Sequence, residues 1–166
     1  ICFFPEKMFF NTNTGDVGSL SASAVAENIT VTVTTSTLSV PTGTGMSLSG
    51  LFKTDDVVQV TASDSKLNVS AAVKAVSENK ITFPDETFID LVASGETSAE
   101  ISVSSIKFER GCPDLDYVME SNNRLWGVSN KDNTIYACKL GDPTNWQYFQ
   151  NTAVDSYYAE QGTDGE

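Results

Sequence analysis

The closest carboxylates in the chain form two pairs, Asp55-Asp56 and Asp114 with Asp116. Aspartates two residues apart share one face of an extended segment, the minimum for a cation site or an acid/base couple. A calcium loop needs several more oxygen ligands at set spacing, and neither neighbourhood supplies them. Both pairs therefore read as turn or strand-start carboxylates that accept main-chain hydrogen bonds. The 166 residues include no histidine, and the three cysteines, Cys2, Cys112 and Cys138, contain no Cys-x-x-Cys pair. Zinc-site spacings and His-based triads are thereby removed. The cysteines read as small buried thiols in a reducing compartment. No catalytic, metal or cofactor site is expected. A glycosidase-type Asp/Glu pair is the weakest of the functional classes, because no carboxylate pair is singled out by its surroundings.

The most specific local motif is Gly141-Asp142-Pro143-Thr144-Asn145-Trp146. Pro143 fixes its own backbone and biases Asp142 toward an extended or turn conformation. The side chains of Asp142 and Asn145 can satisfy turn amides, and Trp146 can pin the turn to the body of a domain. This is a rigid corner without a nucleophile or base. Arg124 lies in mid-hairpin, where a guanidinium can fix neighbouring loops, with Glu120 or Asp142 as carboxylate partners. Trp126, Trp146, Tyr148, Tyr157 and Tyr158 offer either a sugar-binding platform or core and interface area. Tyr157 and Tyr158 must point to opposite faces of a strand, which favours core and interface. Asn28-Ile29-Thr30 and Asn68-Val69-Ser70 match the glycosylation sequon, a pattern that arises readily by chance in this composition.

Ten Lys and Arg against 22 Asp and Glu give a formal net charge of −12. The acids are scattered, so they describe a solvated acidic surface that repels phosphate backbones, and no basic cluster offsets it. Nucleic acid is excluded as a partner on this reading. No stretch reaches the roughly 18 apolar residues of a membrane span, and the opening Ile-Cys-Phe-Phe is too short for a signal peptide. Membrane insertion is not expected. Both ends read as cuts in a longer chain, although a processed mature protein would look similar.

Three textures succeed one another. Residues 1–18 hold Phe3-Phe4 and Phe9-Phe10 around Pro5-Glu6-Lys7, a hairpin signature. Residues 19–108 are rich in Ser, Thr, Val and Ala, and contain no Trp, Tyr or Cys. Residues 109–166 carry both tryptophans and all five tyrosines. In the middle segment Ile29, Val31 and Val33 alternate with threonines as in a half-buried strand. Val58 and Val60 share a face in the next strand, and residues 73–83 read as a hairpin around Ser77-Glu78-Asn79. Ile101 and Val103 are in phase, whereas Ile106 and Phe108 are out of phase with them, which predicts a β-bulge. Ser19 to Asn28 lacks a continuous apolar stripe, and 87–95 could form a helical turn or a strand. The chain is all-β, with at most one or two short helical turns. Six or so short strands at this spacing argue for a small β-barrel or sandwich. That module, 19–108, reads as an insertion into a host sheet made of 1–18 and 109–166. Asp16-Val17-Gly18 and Glu109-Arg110-Gly111 would be the junctions, with glycines for unusual backbone angles.

RLWGV (124–128), TIYACKLGDPTNW (134–146) and DSYYAEQGTDG (155–165) together resemble the β-propeller proteins of bacteriophage tails and tail-associated structures. FFPEKMFFNTNTGDVGSL (3–20) is similar to a preceding blade strand of that family. FKTDDVVQVT (52–61) and AVKAVSENKITF (72–83) are similar to a small β-barrel carried there as an insertion. Only part of a propeller is present, and the middle module matches more by pattern than by identity. The resemblance implies a non-enzymatic virion structural protein, assembled in the bacterial host cytoplasm and packed against other phage structural proteins in an oligomeric assembly. It carries over no catalytic residue and no cofactor. The alternative is an adhesin module that recognises a host-surface glycan or receptor through exposed aromatics.

Overall fold

The structure, a computed structural model, describes residues 1–160. Among them are three antiparallel sheets, short 3-10 turns and no α-helix. The chain divides into two compact units, Ala22–Arg110 and a second formed by Ile1–Ser21 with the residues from Gly111 onward.

The N-terminal residues form β1 (Cys2–Phe3), β2 (Met8–Phe10) and β3 (Val17–Ser19), an antiparallel sheet of three strands. The expected Phe-rich hairpin is present, with Cys2 opposite Phe9 and Phe3 opposite Met8. Local pairing then continues to β3, closed by the Asn11 amide on the Asp16 carbonyl at 2.8 Å. Gly18 lies inside β3 rather than at a junction. Neither Gly18 nor Gly111 has a positive φ, so the expected glycine hinges are absent. Gly18 instead admits the Phe9 ring, which a Cβ would meet at 2.6 Å.

The middle unit carries β4 (Ala22–Val33), β5 (Thr37–Ser39), β6 (Val57–Ala62), β7 (Val69–Ala72), β8 (Ala75–Ser77), β9 (Lys80–Thr82) and β10 (Ala99–Arg110). They hydrogen-bond in the order β7-β6-β10-β4-β5-β9-β8. The 3-10 turns fall at Leu48–Gly50, Ser65–Leu67 and Ile89–Leu91, the last within the segment that sequence left between helical turn and strand. Ser19 to Asn28 supplies no helix, and most of it is β4. Alternation buries Val31 and Val33, Leu38, Val58 and Val60, and Ile81 in one hydrophobic core. Each such side chain contributes about 1.5–3 kcal/mol by leaving water. The tight β4–β5 turn is held by Thr34, whose hydroxyl accepts the Thr37 amide at 3.0 Å. The strands at the two ends of the order, β7 and β8, are separated only by Val73 and Lys74. The Val73 amide donates to Asp56 (2.9 Å), and the Lys74 amide donates to Thr82 (2.8 Å).

β4 and β10 pair along their whole length, from Ala22 opposite Arg110 to Val33 opposite Ala99. The expected change of face occurs, because Val103 and Ile106 are both buried with exposed Ser104 and Ser105 between them. A bulge is not its cause. The register runs unbroken from Val103–Ile29 to Ser105–Glu27, so neither strand gains a residue on the other. Both strands change face together, with Asn28 at φ 52° and the rung opposite Ser104 unpaired. Asparagine tolerates this left-handed conformation better than most residues. Ser63 bridges the gap, accepting the Ser104 amide on its hydroxyl (3.0 Å) and donating its own amide to Ser105 (2.9 Å).

The C-terminal part contains β11 (Tyr117–Ser121), β12 (Arg124–Ser129), β13 (Thr134–Ala137) and β14 (Tyr157–Glu160), paired in sequence order. β11 and β12 are joined by Asn122-Asn123, both at positive φ, the backbone that suits a two-residue hairpin turn. Residues 1–18 do not join this sheet, contrary to the single host sheet expected. The core beneath the two sheets gathers Leu20, Leu115, Cys138 and Trp146, with Phe4 and Phe9 against it. Pairing β2 with β3 closes a far shorter loop than pairing it across the middle unit, which favours a separate sheet. The segment 155–165 runs past Glu160, and its residues 161–165 lie outside the described residues.

Candidate functional site

The corner at 141–146 follows β13. Gly141 has φ 73°, a conformation that favours glycine, and its amide donates to Asn123 in the β11–β12 turn at 2.9 Å. The Asp142 carboxylate accepts the Thr144 amide (3.1 Å) and the Thr144 hydroxyl (2.6 Å). Lys139 closes the corner at both ends: its carbonyl accepts the Asp142 amide and its amide donates to Asn145 (2.7 Å). Pro143 offers its carbonyl to Trp146 Nε1 at 2.9 Å. Trp146 is only 3% exposed and meets Phe4 edge-on. Buried this way, Trp146 cannot belong to a sugar platform. Asn145 is buried beside it.

Arg124 does hold loops, but through main-chain carbonyls rather than carboxylates. One guanidinium nitrogen donates to Cys138 (2.8 Å) and to the Asp155 carbonyl, and another donates to Ala153 at 3.0 Å. Glu120 instead accepts the Asn123 amide within its own turn, at 3.0 Å. Arg124 thus joins β12, the end of β13 and the loop before β14, using the planar fork that suits several acceptors at once.

Two cross-strand rows cover one face of the β11–β14 sheet. Met119, Trp126, Ala137 and Tyr157 form one, and Tyr117, Val128, Ile135 and Ala159 form the other. The opposite face turns Leu125 and Tyr136 toward the core. Tyr117, Met119, Trp126, Val128 and Ile135 of these rows line an open apolar groove of about 490 Å³, and the Trp126 and Tyr157 rings approach to 6.0 Å. Tyr158 lies on the other face, where it meets Phe149. Lys139 sits over the Tyr148 ring at 3.8 Å.

Of the carboxylates, Asp116 accepts the Asn130 amide (2.7 Å) and Asp64 accepts Lys66, so both serve main-chain amides. Asp114 instead pairs with Lys7 at 2.5 Å, with Lys131 at 3.8 Å on its other oxygen. The Lys7 hydrogen bond and charge hold its carboxyl below the ordinary value, with burial acting weakly against them. Asp55 is an exposed turn residue at φ 71°, whereas Asp56 is fully buried. Asp56 Oδ2 takes Arg110 at 2.5 Å and the Lys53 amide at 3.0 Å, and Oδ1 faces the Lys53 ammonium at 3.4 Å. Sequence reasoning missed this pair, because 54 residues separate its members and no local pattern links them. Its one signal was an arginine at an inward position of an otherwise apolar strand face, in phase with Ile106 and Phe108.

Cys112 and Cys138 are buried, but Cys2 is only half-buried, which corrects the expectation for that thiol. Burial pushes the Cys138 thiol up, against the Leu125 amide that donates to its sulfur. Both sequon asparagines are exposed, and Asn68 is engaged by the Ala62 amide at 2.8 Å. Among the described residues, no three His, Cys, Asp or Glu side chains come together as metal ligands would.

No known protein family, curated protein or solved structure matches the chain.

Proposed function

We propose that this chain is a non-enzymatic structural component of a bacteriophage tail or tail-associated assembly, working by protein–protein packing. The observation that carries the reading is the β11–β14 sheet, a four-stranded antiparallel meander with apolar side chains on both faces. One face covers its own core, and the other presents Tyr117, Met119, Trp126 and Tyr157. A propeller blade has this form, since it packs between neighbours and needs two apolar faces. We also propose that Ala22–Arg110 is a small barrel. The Val73 and Lys74 amides support closure, because they carry pairing from the β6 side to the β9 side through one continuous segment. The corner at 141–146 and the Arg124 clamp then serve rigidity. The partners are other virion proteins. Mass spectrometry and immunogold labelling of gradient-purified particles test the reading: the protein should band with particles at a fixed stoichiometry. Its absence from washed particles rejects the proposal.

A second reading is supported by the Trp126–Tyr157 contact beside the open groove, which suits an apolar sugar face. Glycan-array binding lost in Trp126→Ala, with the fold retained, would favour an adhesin module.

A further inference from the structure

We propose that β11 is a self-pairing edge, through which a second copy of this chain extends the four-stranded sheet to eight strands. The inference rests on the geometry of the sheet and not on the phage reading. β11 stands first in the order, and among the described residues β12 is the strand paired with it. The two-residue turn makes Ser121–Arg124 a hydrogen-bonded rung, and rungs alternate from there. Ser121, Met119 and Tyr117 therefore bond inward to β12, leaving the amides and carbonyls of Val118 and Glu120 directed outward. Edges are ordinarily blunted by lysine, proline or very short length. Between Tyr117 and Ser121 this one has neither lysine nor proline and a single charge, Glu120, and Tyr117 and Met119 are 70% and 62% exposed.

A second copy is the partner because the edge is complementary to itself. An antiparallel pair centred on Met119 sets Val118 opposite Glu120 of the partner copy, and the reverse, as two hydrogen-bonded rungs. The four outward groups of each copy are then satisfied. Met119 faces its own counterpart, and Tyr117 faces Ser121. No acid stands directly opposite another acid, which would be unfavourable. The apolar rows of one sheet then continue into the other as a single surface. Each copy carries a formal charge of −12, so the two repel at long range and salt should favour pairing.

Sedimentation velocity on the full chain, over a wide concentration range and at low and high salt, tests this. Reversible dimers that strengthen with salt are expected. Val118→Pro removes an outward amide without touching the ladder to β12, so it should weaken dimerisation about tenfold or more while circular dichroism stays unchanged. Met119→Cys places two thiols across the twofold at a separation that suits a disulfide, so mild oxidation should give a covalent dimer. A monomer at every concentration and salt overturns the proposal. So does a dimer that Val118→Pro leaves intact, or one that Met119→Cys fails to cross-link.

Discussion

Asp56→Asn is the sharpest perturbation of this fold. The substitution keeps the shape of the side chain but removes its charge, leaving Arg110 without its counter-ion. Both partners sit out of water, with side-chain exposures of 0% for Asp56 and 8% for Arg110, so solvent cannot replace what is lost. Breaking one member of such a pair typically costs about 3–5 kcal/mol, because the remaining charge is buried uncompensated. Asparagine still accepts the Lys53 amide, which places the expected loss near the lower end, about 3 kcal/mol. For a unit of 60–100 residues each kcal/mol moves the melting midpoint by roughly 4–8 °C, so the shift should exceed about 10 °C. Urea unfolding of the full chain by far-UV circular dichroism measures the free energy. Hydrogen exchange at Val58, Val60, Ile106 and Phe108 amides localises the loss to β6 and β10. Arg110→Met should cost a similar amount, and the double variant Asp56→Leu/Arg110→Met should recover much of it, as apolar replacement of a whole buried pair often does. A loss below about 0.5 kcal/mol in Asp56→Asn, the range of ordinary surface changes, would refute the reasoning. Additive single and double variants would refute the coupling.

Two further outcomes follow from the second unit. Arg124→Ala leaves the Cys138, Ala153 and Asp155 carbonyls without their donor, so it should cost about 1–3 kcal/mol. Faster exchange should be confined to residues 153–160, and Arg124→Lys, lacking the fork, should not restore protection. Asp114 should titrate below the ordinary aspartate value of about 3.9 when followed by carboxyl carbon shifts, and Lys7→Met should raise its midpoint. Because its folded value is the lower one, the Lys7–Asp114 contribution is present above about pH 4 and is lost as pH falls through the folded value. The Lys7→Met protein should therefore lose less stability on acidification than the unchanged chain.

Local alternation was legible from the residues alone. Ile29, Val31 and Val33 against their threonines marked β4, and the paired phenylalanines marked the N-terminal hairpin. The 141–146 corner was legible too, because proline, aspartate and asparagine act over two or three residues. Partnership was not. Period-2 patterning says which side chains share a face, but not which strand lies alongside. Phe9-Phe10 therefore gave no sign that β2 pairs with β3 instead of the later sheet. The change of face in β10 looked like an inserted residue, because the matching change at Glu27-Asn28 could be recognised only once the two strands were aligned. Arg124 was expected to pair with Glu120 or Asp142, yet its acceptors are carbonyls 14 to 31 residues away, and every residue has a carbonyl. Trp146 carried the same residue type as Trp126, and only burial separates the core residue from the half-buried one.

The first rung of the longest ladder joins Ala22 to Arg110, the two ends of the middle unit. Tension applied through those ends meets the β4–β10 hydrogen bonds in series, as in opening a zipper, and not in parallel, as in shear. Each rung then carries the load alone, and the ladder parts at the force of its most resistant single step, never at the sum of its rungs. Arg110 belongs to the leading rung and is clamped by Asp56 from β6's own approach, so the ion pair sits where peeling would begin. A unit strung this way yields to pulling long before its core is strained, which suits a side branch of a load path and not a link within it.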